Sequence, residues 1–145
     1  MAGNPNDPRE TECRCAKSMV RKVLIVDDSK LARMAIVKVL GSLYPEWTRL
    51  EAAEAEAALE IAGQTAIDIT LLDFNMPGRD GLSLASDLLK LYPGMPVAVI
   101  SANHQDEVVR RAGSIGAAFL SKPLTEKALA AFLAEAVQQL GRDAR

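Results

Sequence analysis

The chain has 145 residues, 49% apolar and 25% charged, with 17 basic side chains against 19 acidic ones and a formal charge of −2. That is the size and composition of one soluble globular domain, able to bury roughly 68–70% of its unfolded surface without help from a disulfide or a metal. With no excess of positive charge and only 4% aromatic residues, the chain offers little to hold a phosphate backbone or to stack on bases, so nucleic-acid binding is not expected. No apolar run approaches the roughly 20 residues of a membrane helix, and the N-terminus lacks a signal-peptide core. The expected compartment is the cytoplasm, without membrane insertion.

Residues 1–19 read as a polar, turn-forming tail. Its two cysteines, Cys13 and Cys15, are the only ones in the chain. Two thiols with a single distant histidine, His104, do not make a four-ligand zinc site, so the pair is incidental or has an intermolecular or redox role. His104 itself reads as a solvated or capping residue.

From residue 20 to 141 apolar runs alternate with helical patterns. The runs Val23–Val26, Ile69–Leu72, Val97–Ile100 and Ala117–Leu120 suit strands covered on both faces. Trp47–Ala52 mixes in polar residues and suits an edge strand. Between them, Ile36, Val39, Leu40 and Leu43 repeat at helical spacing, as do Ala55, Ala58, Leu59 and Ala62. The pattern returns at Ala85, Leu88, Leu89 and Tyr92, and more weakly at Val108, Ala112 and Ile115. The last stripe is Leu129, Phe132, Leu133, Ala136, Val137 and Leu140, with Thr125 as the expected N-cap and Gly141 as the expected stop. Residues 142–145 are expected to be a C-terminal tail. Strand–helix alternation repeated five times predicts a doubly wound α/β fold, a parallel sheet with helices on both faces.

Polar residues follow the strands. Asp27 and Asp28 end the first, Asp73 the third, Ser101 the fourth, and Ser121-Lys122-Pro123 the fifth. Ligands of open parallel sheets bind at this carboxyl edge. Three carboxylates against one ammonium leave a charge of −2, with each like-charge pair costing on the order of 1–4 kcal/mol at about 4 Å. Either a proton is retained or a cation is bound, and all-oxygen ligands favour Mg²⁺, Mn²⁺ or Ca²⁺ over zinc. Asp73 is then available as a nucleophile toward a phosphoryl group, with Lys122 neutralising the transferring oxygens and Ser101 donating a hydrogen bond. Taken singly, each residue has an ordinary alternative: Asp28 or Ser29 as a helix cap, Ser101 as a cap of the next helix, Asp80-Gly81 as a turn. Their shared placement after buried runs is what points to a site.

The segments Val26-Asp-Asp-Ser29, Leu72-Asp-Phe-Asn-Met-Pro-Gly-Arg-Asp-Gly81, Ile100-Ser-Ala102 and Phe119-Leu-Ser-Lys-Pro123 resemble the receiver domains of two-component response regulators, of the chemotaxis type. The resemblance covers about residues 20–141. It implies five strands in the order 2-1-3-4-5 with five helices. It implies Asp73 as phosphoacceptor, with Asp28 and Asp73 as direct Mg²⁺ ligands, Asp27 acting mainly through water, and the Asn75 main-chain carbonyl completing the set; Mn²⁺ is an alternative ion. Ser101 and Lys122 would contact the phosphoryl group, Phe119 would occupy the switch aromatic position, and the Lys122-Pro123 bond would be cis. Three departures stand out. Ser101 takes a place often held by Thr, Phe119 one often held by Tyr, and Gly116-Ala-Ala-Phe119 is one residue shorter than the family's common Gly-Ala-x-x-aromatic spacing.

No second domain is read after the last stripe. The expected function is a single-domain switch that accepts a phosphoryl group from a sensor histidine kinase or a histidine phosphotransfer protein and signals by binding a downstream protein. Its enzymology would be limited to its own phosphorylation and dephosphorylation, and a phosphorelay shuttle or phosphate sink is the alternative. A haloacid-dehalogenase-like phosphatase would place Asp-x-Asp after the first strand, where this chain has Asp27-Asp28-Ser29. A flavodoxin-like carrier would need a Ser/Thr/Gly-rich loop there. A receiver-shaped scaffold that is never phosphorylated would not need the full acidic set.

Overall fold

A computed structural model describes residues 21–76, 80–102 and 106–143, with side chains through Gly141. Cys13, Cys15, His104 and the N-terminal tail lie outside the described residues. Among the described residues the strands are β1 (Lys22–Val26), β2 (Thr48–Ala52), β3 (Ile69–Asp73), β4 (Val97–Ser101) and β5 (Ala118–Ser121). The helices are α1 (Lys30–Leu43), α2 (Ala55–Gln64), α3 (Gly81–Leu91), α4 (Asp106–Ser114) and α5 (Glu126–Asp143). All strand pairs are parallel, as the strand–helix alternation predicts, and the order is β2-β1-β3-β4-β5, as the resemblance implies.

Period-two alternation on fully buried strands sorts the side chains into two cores. Leu24, Val26, Leu72, Val97 and Val99 face α2, α3 and α4, meeting Ala58, Leu84, Leu88 and Ala112. Val23, Ile25, Ile69, Leu71, Ala98 and Ile100 face α1 and α5, meeting Ile36, Leu40, Leu129 and Leu133. Thr70 is the exception in β3. Its hydroxyl is fully buried and donates to Met95 Sδ at 3.5 Å, a weak acceptor that still spares it an unpaired state.

Helix starts follow the local chemistry. Ser29 Oγ accepts from Ala32 N at 3.2 Å to cap α1, Asp80 Oδ1 accepts from Ser83 N at 2.8 Å to cap α3, and Thr125 Oγ1 accepts from Ala128 N at 3.0 Å to cap α5. Three expectations need correction. The fifth run is not covered on both faces: β5 is an edge strand, as β2 is at the other side of the sheet, and Ala118, Phe119 and Leu120 are only half-buried. Gly141 does not end α5, which runs on to Asp143. Trp47 is not part of β2. It precedes the strand, is 7% exposed, and stacks on Tyr44 with ring centroids 3.9 Å apart.

The shortened connection before Phe119 is a tight C-cap. Gly116 takes φ of 86°, its N–H donates to Gly113 O at 3.1 Å, and Ala117 N donates to Ala112 O at 2.8 Å. This is the paired-bond arrangement of a Schellman motif, with buried Ala117 and Ala112 supplying its apolar contact. The chain therefore turns from α4 into β5 with no spare residue.

Candidate functional site

The expected carboxylates, Ser101 and Lys122 stand at or just beyond strand ends, and neighbouring strands hold the main chain there. Asp27 N donates to Ala52 O at 3.1 Å, Phe74 N to Ile100 O at 2.9 Å and Lys122 N to Ser101 O at 3.0 Å, so the ladders continue one residue past β1, β3 and β5. Side chains mounted on extended ladders are held more rigidly than side chains on free loops. Carboxylate oxygens of Asp27, Asp28 and Asp73 lie within 4.8 Å of one another. Asp27 and Asp73 are buried and Asp28 is exposed.

Lys122 reaches back into the cluster, its Nζ 2.9 Å from Asp73 Oδ1. The Lys122-Pro123 peptide bond is cis, as expected. Ser101 is fully buried at the end of β4, opposite Ser121 of β5. Phe119 lies on β5 opposite Val99. Asn75 is exposed, two residues past Asp73.

Electrostatics follow from this crowding. Burial pushes the Asp27 carboxyl above its ordinary value, and the charges of Asp73 and Asp28 push the same way. The Ser29 N–H, which donates to Asp27 Oδ1 at 2.9 Å, and Lys122 oppose them without cancelling them. Burial alone would lower the Lys122 ammonium. Its contact with Asp73 and the charges of Asp27 and Asp28 outweigh that and hold it above the ordinary lysine range. Lys122 is therefore charged at neutral pH.

Asp73 Oδ1 is buried, and the Lys122 ammonium 2.9 Å away is held against it as an ion pair. One ammonium against three clustered carboxylates leaves an excess of negative charge at the site, which a bound cation would offset. The donor set is all carboxylate oxygen, so the residues present fit a hard divalent ion such as Mg²⁺ or Mn²⁺.

A raised Asp27 pKa makes a signed prediction. Stability associated with its protonated form is present at low pH and is lost as pH climbs from about 3.8 through the higher folded value. Asp27→Asn keeps the oxygen that accepts from Ser29 and removes the charge. In metal-free buffer at pH 7 it is expected to stabilise the protein by about 1–3 kcal/mol, the size of one like-charge contact at this separation. The gain should shrink toward pH 4. Urea melts at the two pH values check this, and an equal difference at both would contradict a charge origin.

Two residues near the cluster carry no mark in the sequence. Arg33, in the first turn of α1, turns its guanidinium inward, and Nη1 donates to the Asp27 main-chain carbonyl while Nε pairs with Glu51 Oε1 at 3.0 Å. Gly81, read from sequence as half of a turn, packs directly on the backbone of Asp73 and Phe74. A cavity of about 260 Å³ opens beside the cluster between α1 and the start of α5, lined by Asp27, Ile36, Val39, Lys122, Leu124 and Leu129. Leu31 and Met34, in the first turns of α1, are exposed at 78% and 53%. No helix among the described residues is long and apolar enough to cross a membrane.

Comparison with known proteins agrees with this geometry. The chain is 39% identical over 103 residues to the glycerol metabolism activator of Pseudomonas putida, covering 70% of this chain and 47% of that protein. It is 38% identical over 117 residues to the positive alginate biosynthesis regulatory protein of Pseudomonas aeruginosa, covering 79% and 46%. The chain thus spans about half the length of these curated relatives. The crystallised chemotaxis protein CheY4 of Vibrio cholerae superimposes with a TM-score of 0.75 at 25% identity, over 81% of this chain and 99% of that one. A CheY-like receiver domain protein from Methanospirillum hungatei gives 0.79 at 22% identity, over 86% and 99%, and supports the fold. A model of the response regulator receiver domain matches residues 23–134, and with that span and this strand order the chain belongs to the response regulator receiver family of two-component systems.

Proposed function

We propose that the chain accepts a phosphoryl group on Asp73 from a phosphohistidine of a sensor histidine kinase or histidine phosphotransfer protein, and signals by phosphorylation-dependent binding of another protein. One observation carries the reading: a buried carboxylate, Asp73, faces two further carboxylates and a charged lysine 2.9 Å from its Oδ1. Asp27, Asp28 and Asp73, with the Asn75 main-chain carbonyl, would hold Mg²⁺ or Mn²⁺. When bound, that ion neutralises the clustered negative charge and the oxygens of the incoming phosphoryl group.

The protein's own residues do the rest. An Asp73 oxygen attacks phosphorus as the bond from phosphorus to the histidine nitrogen breaks, and the electron pair leaves with the imidazole. Lys122 is held charged by its carboxylate neighbours and exchanges part of its contact with Asp73 for the arriving phosphoryl oxygens. The donor must approach over the carboxyl edge of the sheet, where Asp73 and its neighbours stand and where α1 begins with exposed Leu31 and Met34 in its first turns. Incubation with acetyl phosphate and Mg²⁺ tests the reading. Hydroxylamine-labile label retained on the protein supports a switch, whereas continuous phosphate release without retained label would indicate a phosphatase.

Ser101 and Phe119 would convert the modification into a shape change. A phosphoryl oxygen extends beyond the bare Asp73 carboxylate and can accept from the Ser101 hydroxyl, drawing it inward and making room for Phe119 on the adjacent strand. A hydrogen bond to a charged group contributes roughly 1.5–3 kcal/mol, enough to change a population ratio by about 10- to 150-fold. NMR spectra with and without beryllofluoride should show shifts in α4 and β5 for the wild type and much smaller ones for Ser101→Ala. Equal shifts in both proteins would remove Ser101 from the coupling.

A further inference from the structure

Long basic side chains on a helix surface normally run their stems along apolar surface and keep their charged heads in water. Arg33 does the opposite. Its side chain is 14% exposed although it lies in the first turn of α1, and its head is committed to two partners of different kinds. Nη1 donates to the main-chain carbonyl of Asp27, and Nε donates to Glu51 Oε1 at 3.0 Å on β2. The peptide of β1's exit is then held on both sides by β2, through Asp27 N to Ala52 O at 3.1 Å and through the Asp27 carbonyl to Arg33 to Glu51.

We propose that Arg33 is a positioning residue for the Asp27–Asp28 pair, its guanidinium clamping the main chain of the acidic turn to the end of β2 in the geometry that takes up a divalent cation. This rests on the metal-dependent reading given above. The clamp grips the main chain, so it uses none of the carboxylate oxygens that would face the ion. It also opposes the cluster's own tendency to spread: three carboxylates within 4.8 Å repel, and a turn free to open would relieve that repulsion by separating them. A planar fork suits the task because two of its nitrogens can meet two acceptors at fixed separation, which a single ammonium on a flexible stem cannot.

The proposal predicts that Arg33→Ala weakens Mg²⁺ binding by about 10-fold, the scale on which residues that orient ligands act. Mg²⁺ titration calorimetry reads this directly. In the metal-free protein the Asp27 amide should exchange with deuterium markedly faster, while the Leu24 and Leu71 amides in the strand interiors keep their protection. With acetyl phosphate, the half-saturating Mg²⁺ concentration should rise and the rate at saturating Mg²⁺ should stay close to wild type. Arg33→Lys should behave like Arg33→Ala, and Glu51→Gln, which keeps an acceptor oxygen, should behave like wild type. If Arg33→Ala does not fold, Glu51→Ala, at a half-exposed position, loosens the same guanidinium from its outer partner and should weaken Mg²⁺ binding in the same direction. Wild-type affinity in Arg33→Ala, or in Glu51→Ala where that variant stands in, would overturn the clamp even if the melting temperature fell. A wild-type protein that binds no Mg²⁺ would remove the metal site itself and the clamp's role with it.

Discussion

Asp73→Asn is expected to fold normally and to incorporate no stable phosphate from acetyl phosphate and Mg²⁺, a loss of roughly 10³-fold or more, the scale on which removing a nucleophile acts. Asn matches Asp in size, so the 4% exposed position keeps its packing. What disappears is the charged oxygen that attacks phosphorus. The substitution also leaves the Lys122 ammonium, 2.9 Å away in the wild type, without that charge partner. Lys122 is partly exposed and water can take up the slack, so the change in stability should stay within about 1 kcal/mol. Acid-stable, hydroxylamine-labile label on the variant equal to wild type would move the acceptor to another residue.

Among the described glycines, Gly81→Ala should be the most destabilising addition of a single methyl group. A Cβ at this position would lie 2.5 Å from the Asp73 carbonyl oxygen, 2.7 Å from Leu72 Cδ1 and 2.8 Å from Phe74 Cα. Two of these three atoms are backbone, so no rotamer change removes the clash. Gly81 N also donates to Phe74 O at 2.8 Å, which pins the start of α3 against the end of β3. The methyl must therefore push the two elements apart, at about 1–3 kcal/mol and at the upper end of that range here. The displaced atoms belong to Asp73 and its neighbour, so phosphorylation should slow as well. Gly63 is the control. It lies within α2, has nothing within 4 Å of a built Cβ, and Gly63→Ala should stabilise the protein by about 0.5–1 kcal/mol. Thermal melts of the two variants check the contrast, and a destabilised Gly63→Ala or a neutral Gly81→Ala would contradict it.

The difference between these glycines marks the limit of what is legible in the chain. Asp80-Gly81 reads as a turn from sequence because turn residues share one chemistry, and the close approach of β3 to α3 is a fact of the assembled fold. Arg33 is hidden for the same reason, since nothing local separates an inward guanidinium from a solvated one. The strands and stripes were legible because burial on both faces of a parallel sheet imposes continuous apolar runs, and Ile69–Leu72 and Val97–Ile100 have them. The same signal misleads at β5. Ala117–Leu120 is as apolar as a central strand, but apolar content does not say which strand ends up at the edge. Gly141 misleads in another way. A glycine stops a helix only when it adopts the left-handed conformation and the following amides turn back, as at Gly116. At Gly141 the helix continues to Asp143. The site residues were legible because strand ends in a parallel sheet share one edge, which brings Asp27, Asp28, Asp73 and Lys122 together from distant positions in the chain.

Trp47 is the only tryptophan in the chain, and its place makes it an optical probe of folding set apart from the site. Its indole is packed on Tyr44 just ahead of β2, at the amino end of the sheet, whereas the carboxylates sit at the carboxyl end. Its emission therefore reports whether the core shared by α1 and α5 is closed, and not whether Asp73 is modified. Folded molecules can be counted in the same cuvette in which phosphate is being transferred. An emission change on adding Mg²⁺ or acetyl phosphate to the folded protein would itself be informative, because it would mean that the event at one end of the strands had travelled their whole length.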